Sequence, residues 1–432
     1  MKPEHDVTLE NWEKGVGIDF EDEAAREAYR ERTGRFAAAI RGEEPDRIPT
    51  ALSATFYPVF HAGITPETAM NDAAALAAAL EETVYDLEPD CHQLSAALLP
   101  SAKMLEMLDY NLYAWPGDGA SPDTGYQALE KEYMGPDDYE QLLQDPTDFW
   151  LRHYIPEIVG ALEPFRKLPH FTDLVEIPSI HFMAIPFGLP DVQEALETLM
   201  DAGEEALRWQ EIVGGTVEEV IQSGYPRSFG GFTKAPYDTL GDTLRGTKGI
   251  AMDLKRQPDV LEEAVDSLTP TMIEMGIRSA QAAGNPLVFI PLHKGADGFM
   301  SDEEFRTFYW PQLREVIDAL TDAGLVPWLF AEGSYDDRLE AIADQPDGNV
   351  VWQFDRTDMR DAKETLGDRA AIAGNVHSSL LNTKEPADVD AYCRELIEDV
   401  GPDGFILAPG VAMDEAKPEN VRAMIEAPRK YC

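Results

Sequence analysis

Cysteine is nearly absent: three in 432 residues, Cys91, Cys393 and Cys432. They stand far apart, with no CxxC spacing, which excludes a disulfide framework and a thiolate zinc finger. Basic charge is also scarce. Lys plus Arg total 35 against 81 Asp plus Glu, for a formal charge of −46. Such a surface repels phosphate backbones and anionic lipid heads, so nucleic acid and membranes are poor partners. Acid spread along the whole chain, with 22 Arg to 13 Lys, fits a protein adapted to high salt, where screening relieves self-repulsion. Long apolar runs are missing too. Ala73–Leu80 is far shorter than the roughly 18 residues that span a bilayer. The opening stretch MKPEHDVTLENWEKG has no apolar segment of the kind that directs secretion, and a cytoplasmic protein is expected. No nucleophile elbow, Walker loop or dinucleotide fingerprint occurs, and the pair Gly230-Gly231 alone does not make a phosphate cradle. No internal repeat, low-complexity tract or linker divides the chain.

What is present is enough apolar residue, 44%, to bury a large core, which excludes global disorder. The second half alternates short apolar runs with amphipathic stretches. Pro286–His293 reads as a buried strand. A helix follows over Ser301–Ala323, with Ser301 and Glu304 as a capping box and Gly324 as the stop. Strands are then expected at Val326–Ala331, Asn349–Phe354, Ala370–Val376 and Gly404–Ala408. Helices near Tyr335–Ala343, Asp358–Leu366, Glu385–Val400 and Lys417–Tyr431 separate and follow them. Such alternation implies parallel strands with right-handed crossovers.

The first half is less regular. A helix over Asp19–Arg41 precedes a Pro45–Pro49 turn, then strands at Ile48–Ala54 and Cys91–Ala96 flank a helix over Pro66–Leu87. Ser228–Thr233 is a further strand. The total is eight, the count of a closed (β/α)8 TIM barrel. The expected organisation is one domain over 1–432, with an N-terminal helical extension (1–44) and an insertion (97–224) between strands 2 and 3.

Parallel barrels place catalytic groups at the carboxyl ends of their strands. The candidates there are His293, Glu332, Asp355 and His377, the turn Pro409-Gly410-Val411, and His92 on the second strand. His and carboxylate together suit a zinc site, with His293 and Glu332 as ligands; they equally suit general acid–base work. Each has a plain structural reading as well. His293 opens a loop with Lys294 and Gly295, Asp355 and Asp358 bracket Arg356 at a helix start, and His377 stands beside two serines that cap a turn. Glu332 is the sharpest, since an unpaired carboxylate after an apolar strand is costly to bury. His61, His92 and Arg245 are candidate substrate contacts. Phe56, Tyr57 and His181 read as wall.

Several short motifs together resemble the uroporphyrinogen decarboxylase superfamily. They are Arg47-Ile-Pro49 before the first strand, Ser301-Asp-Glu-Glu-Phe305 with Trp310-Pro311, Gly374-Asn375-Val376, and Pro418-Glu419-Asn420-Val421. The resemblance runs from about residue 25 to the end and implies a (β/α)8 barrel. One branch of that superfamily decarboxylates uroporphyrinogen without a cofactor, gripping its acidic substrate with arginines after the first strand. Here that loop reads Ser53-Ala-Thr-Phe-Tyr-Pro-Val-Phe-His61, without arginine. The other branch moves methyl groups to or from a cobalt corrinoid (cobalamin), usually on a corrinoid protein. Its thiol-specific members carry a His-x-Cys-Gly zinc motif and a later Cys. Phe330-Ala331-Glu332-Gly333 stands in that place, and the later position falls near Gly410-Val411. Oxygen and imidazole ligands leave a harder, more Lewis-acidic ion than thiolates do. The resemblance therefore implies methyl transfer from an oxygen, as in a methyl ether or methoxylated aromatic, with zinc and a corrinoid partner. Phe56, Tyr57, Phe60, His181, Phe182 and Phe187 suit an apolar methoxy substrate. Two alternatives stay open. One is decarboxylation of a smaller acid, with Arg245 or Lys294 as anchor and Asp355 or His377 as proton donor. The other is a barrel without catalysis.

Overall fold

The computed structural model describes residues 6–346 and 348–432. The barrel strands are β1 (Ala51–Leu52), β2 (Cys91–His92), β3 (Gly231–Phe232), β4 (Leu287–Leu292), β5 (Val326–Ala331), β6 (Val351–Phe354), β7 (Ala371–Val376) and β8 (Phe405–Pro409). Strands β3 to β8 form one parallel sheet, and β1 pairs with β2 in parallel. Parallel bridges Thr50 to Leu407 and His92 to Arg227 join the two pieces, so the cylinder closes. β1, β2 and β3 are shorter than the sequence suggests. Their neighbours there are single bridges, and regular pairing ends within two residues.

Side-chain parity organises everything inside. Alternate strand residues point to opposite faces. Leu287, Val326, Trp328, Val351, Ala371, Ala373, Ile406 and Ala408 fill the barrel with Ala51 and Cys91. Val288, Ile290, Leu292, Leu329 and Ala331 pack outward against the helices. Trp328 donates Nε1–H to Gln353 at 2.8 Å, and Gln353 donates onward to the Pro409 carbonyl at 2.8 Å. This buried chain stitches β5, β6 and β8 together.

The N-terminal helix Glu23–Ile40 begins at Asp22, whose carboxylate accepts the Ala25 N–H. Its buried face, including Phe36, Ala37 and Ile40, seals the amino end of the barrel, and Phe36 stacks on Trp328 at 6.2 Å. Arg47 of the Arg-Ile-Pro motif grips Asp90 with two nitrogens, at 2.6 and 2.7 Å. Asp90 also accepts the Thr50 N–H, so this motif pins the entry of β1 to that of β2.

The capping box at Ser301 and Glu304 forms as the sequence predicts. The helix behind it runs through a π-helical turn, Phe305–Tyr309, before Trp310–Asp322, and Gly324 follows with φ +78°. Asn420 donates its amide to the carbonyls of Leu381 and Lys384, both at 2.9 Å, which fixes the last helix, Pro418–Tyr431, to the loop after β7.

Between β2 and β3 lie helices such as Ala102–Met107 and Pro190–Trp209, and a small ribbon of Tyr113–Pro116, Gly119–Ala120 and Gln127–Ala128. Among the described residues, no helix is long and apolar enough to cross a membrane.

Candidate active site

Parity places two of the sequence candidates side by side. Leu287, Phe289 and Pro291 alternate inward on β4, so His293 follows inward. Val326, Trp328 and Phe330 do the same on β5, so Glu332 follows inward. Leu292 pairs with Ala331 in the ladder, which brings the next residues, His293 and Glu332, level at the strand ends. His293 Nε2 stands 3.5 Å from Glu332 Oε1. Its other nitrogen, Nδ1, lies 2.5 Å from Asp242 Oδ2. Asp242 belongs to the π-helical stretch Thr239–Leu244 beyond β3.

Asp242 is shared further. Lys234 Nζ reaches its Oδ2 at 2.8 Å and Lys294 Nζ its Oδ1 at 3.0 Å. One turn earlier, the fully buried Asp238 accepts the backbone N–H groups of His293 and Lys294, both at 2.9 Å. Tyr309 donates its hydroxyl to the same carboxylate at 2.8 Å. Asp238 thus clamps the backbone at His293 while Asp242 orients the ring.

Electrostatics follow from this geometry. Burial, the largest influence, opposes charge on His293. The hydrogen bonds to Asp242 and Glu332 outweigh it and raise the imidazole's pKa to about 10. Burial likewise opposes charge on Asp242, but His293 and Lys234 hold its carboxyl well below the usual range. Asp238 goes the other way: burial, then the neighbouring Asp242, pushes its pKa up.

Asp355 and His377 take supporting places. Asp355 Oδ2 accepts the Gly333 N–H at 3.1 Å, fixing the turn that presents Glu332. Gly333 has φ +86°, a conformation that other residues adopt only with strain. His377 precedes the short helix Ser378–Thr383, and its Nε2 lies 3.2 Å from the Tyr392 hydroxyl. Tyr392 in turn donates to Asn375 Oδ1 at 2.9 Å. His377 faces a polar cavity with Asp336, Arg356, Arg360 and Asp399, apart from the His293–Glu332 pair.

Three expected substrate contacts fall elsewhere. His92 is fully buried. Its neighbour Cys91 takes the inward position, so parity turns His92 out toward the helices. Leu94 N–H donates to its Nδ1 at 3.2 Å, so the ring is neutral and Nε2–H donates to the Tyr225 carbonyl at 3.2 Å. Burial, with Arg227 nearby, depresses its pKa to about 3. Arg245 is 2% exposed and committed to Asp253, Glu132 and the Met134 carbonyl, a tie between the insertion and the barrel. His181 is exposed beside Phe182, on the arm Ile177–Gly188, where Ile177 is 87% exposed.

The other expected wall and contact residues lie just after β1, on and before the short helix Tyr57–His61. Tyr57 is fully buried and shares its hydroxyl with His61 Nδ1 at 3.3 Å. His61 Nε2 lies 3.1 Å from Asp86. Phe56 meets Tyr126 edge-on at 5.2 Å, and Asp414 accepts its N–H at 2.7 Å.

Sequence reading passed over Asp238, Asp242 and Lys234. The signal was there: Lys234 follows the strand Ser228–Thr233 directly, and the two aspartates stand four apart just beyond it.

The donor set accommodates part of a zinc site. Two ligands about 2.0–2.1 Å from a tetrahedral zinc stand about 3.3–3.4 Å apart, close to the 3.5 Å between His293 Nε2 and Glu332 Oε1. Asp242 on Nδ1 is the usual outer partner of a ligating histidine. Among the described residues, no three His, Cys, Asp or Glu side chains converge on one point. The pair supplies two donors, one fewer than the three protein ligands usual in a catalytic zinc site, so a zinc held here would need its remaining ligands from substrate and water.

The line of Asp242, His293 and Glu332 lies at the carboxyl end of the parallel barrel, the end where such barrels place their active sites. The family model for uroporphyrinogen decarboxylase (URO-D) matches residues 191–431, and the chain belongs to that family. Among curated relatives, uroporphyrinogen decarboxylase of Coxiella burnetii is 24% identical over 319 residues, 68% of this chain and 87% of that one. The Salinibacter ruber protein of the same name is 28% identical over 249 residues, covering 56% and 65%. In structure the chain resembles a methyltransferase from Methanosarcina mazei, with TM-score 0.61 and 17% identity over 93% of this chain and 98% of that one. This likeness bears on the fold.

Proposed function

We propose that this chain transfers a methyl group between an oxygen of a methylated small molecule and a corrinoid carried on a partner protein. One observation carries the reading. His293 and Glu332 are held level, 3.5 Å apart, and Glu332 stands where the resemblance puts the first cysteine ligand of the thiol-specific members. A corrinoid would supply the cobalt that exchanges the methyl group, and a zinc ion on His293 and Glu332 would supply a Lewis acid for the oxygen.

The chain's own residues meet the chief chemical difficulty, which is that an alkoxide or phenoxide leaves poorly. Metal and proton cannot share Nε2: with zinc bound His293 would be a neutral ligand, whereas in metal-free protein His293, kept as an imidazolium by Asp242 and Glu332, holds a proton at Nε2. As the methyl C–O bond breaks, its electron pair stays on oxygen and that proton neutralises it. Asp242 orients the ring, and Lys234 and Lys294 balance the local carboxylates. Asp355 positions Glu332 through Gly333.

The curated relatives are named uroporphyrinogen decarboxylase, which favours decarboxylation as a second reading; for this chain the substrate would be a smaller acid, acted on without a cofactor. Lys234 and Lys294 would anchor the acid, since Arg245 is sealed, and the His293 imidazolium would protonate the product carbon. Elemental analysis of purified protein with a cob(I)alamin methylation assay across methoxylated donors separates the two. Stoichiometric zinc lost on Glu332→Ala, with methylcobalamin formed by the wild type, supports methyl transfer. Absence of methylcobalamin with every donor class under verified reducing conditions, alongside CO2 release, supports decarboxylation. Failure of both chemistries returns the barrel to a binding role.

A further inference from the structure

A cavity of about 430 Å³ opens between the loop after β2 and the ribbon of the insertion, walled by Tyr110, Tyr113, Trp115, Tyr126, Met70 and Met104 among others. That volume lies within the usual range for small-molecule sites. Among the described residues, no charged side chain lines it, although 27% of the chain is charged. Charged ligands find no counter-ion there. The aromatic rings are arranged rather than scattered: Tyr110 and Tyr113 lie nearly parallel at 6.5 Å, and Tyr126 meets Tyr113 edge-on at 5.4 Å. Edge and face geometries of this kind are what a further ring exploits.

The cavity is laced to the site by its own ribbon. Tyr113 pairs with Ala128. Two residues later Glu130 accepts the Thr247 N–H. The Thr247 hydroxyl accepts from Lys294 Nζ at 2.8 Å, and Lys294 binds Asp242, the partner of His293. Burial, then the charge of Asp242, raises the Tyr113 phenol's pKa, in keeping with that proximity; Tyr110 is pushed up by burial to about 12. Both phenols stay protonated and can donate to an ether or hydroxyl oxygen.

We infer that this cavity is a binding site for an uncharged aromatic ring, and that the methylated substrate is an aryl methyl ether whose ring lies there. The ring site stands on the cavity alone, and its link to demethylation rests on the methyl-transfer reading. An aliphatic ether would leave most of the aromatic wall unfilled, and a multiply charged tetrapyrrole would face a wall without cations.

Calorimetric titration tests this with two neutral probes, 4-methoxybenzyl alcohol and 2-methoxyethanol. The aryl ether should bind saturably and at least tenfold more tightly. Ala97→Phe, which fills the cavity from its rim, should weaken it at least tenfold while the melting temperature holds; Leu98→Trp serves if that variant does not fold. Glu332→Gln should leave ring binding within about twofold. Equal affinity for the two probes, or indifference to both cavity-filling variants, overturns the site. Ring binding without methylation of cob(I)alamin would keep the site and remove the methyltransferase reading. Transfer from aliphatic donors alone would do the reverse.

Discussion

His293 has two ring nitrogens, and the structure gives them different work. Asp242 takes Nδ1, and Nε2 is left facing Glu332. In metal-free protein the ring should titrate near pH 10 by proton NMR, and Asp242→Asn should move that midpoint down toward the ordinary value near 6.5. The linkage sign is definite. A pKa raised in the folded state means the folded chain holds a proton that the unfolded chain has released. This contribution to stability is complete below about 6.5, declines above it and is gone once pH passes about 10, so the gap between the urea midpoints of wild type and Asp242→Asn should narrow as pH rises through that range, the pairs with Lys234 and Lys294 accounting for what remains. A ligated metal must displace the Nε2 proton, so zinc affinity should rise with pH. Loss of the outer partner in Asp242→Asn should weaken it about 10- to 100-fold, read by competition with a chelator.

Single turns hold these groups in place. Gly333 at φ +86° carries the chain from Glu332 to the next loop, and a Cβ there would stand 3.1 Å from that of Ala296. Gly333→Ala should cost about 1–2 kcal/mol for the left-handed backbone alone. It should also lower turnover by displacing Glu332, whereas strain without displacement would leave turnover intact. Ser301→Ala removes a helix cap that touches neither His293 nor Glu332 and should cost about 1 kcal/mol in urea unfolding with activity unchanged. The family-like motifs have similar physical explanations. Arg47 pins β1 to β2, Asn375 links β7 to Thr357 and Tyr392, and Asn420 docks the final helix. Each serves to join elements distant in sequence, which leaves the chemistry of the site open.

Across the whole molecule, the formal charge of −46 sets the conditions under which it is stable. Salt shortens the screening length from about 10 Å at 0.1 M to about 3 Å at 1 M. The melting temperature should therefore rise with KCl over that range, and a flat or falling curve would contradict self-repulsion as the governing term. The insertion is tied to the barrel through Arg245, which is held by Asp253 on the barrel side and reaches Glu132 and the Met134 carbonyl of the insertion. Removing one member of a buried charge pair typically costs about 3–5 kcal/mol. Arg245→Leu should show that loss in chemical denaturation, with faster proteolysis between residues 97 and 224.

From the sequence alone came the strand count, the alternation that makes a parallel barrel, the capping box, and the pairing of His293 with Glu332 as the residues to watch. These are local: hydrophobic period and turn chemistry act over a few neighbours, and strand ends can be read one at a time. Which face each strand residue takes, and what reaches it from another element, depend on closure of the cylinder. That is why His92 points outward, why Arg245 became a tie within the protein, and why Asp242 arrives from 51 residues away to set the charge of His293. Contacts between distant segments are fixed by the register and packing of the folded chain, and no local pattern encodes them.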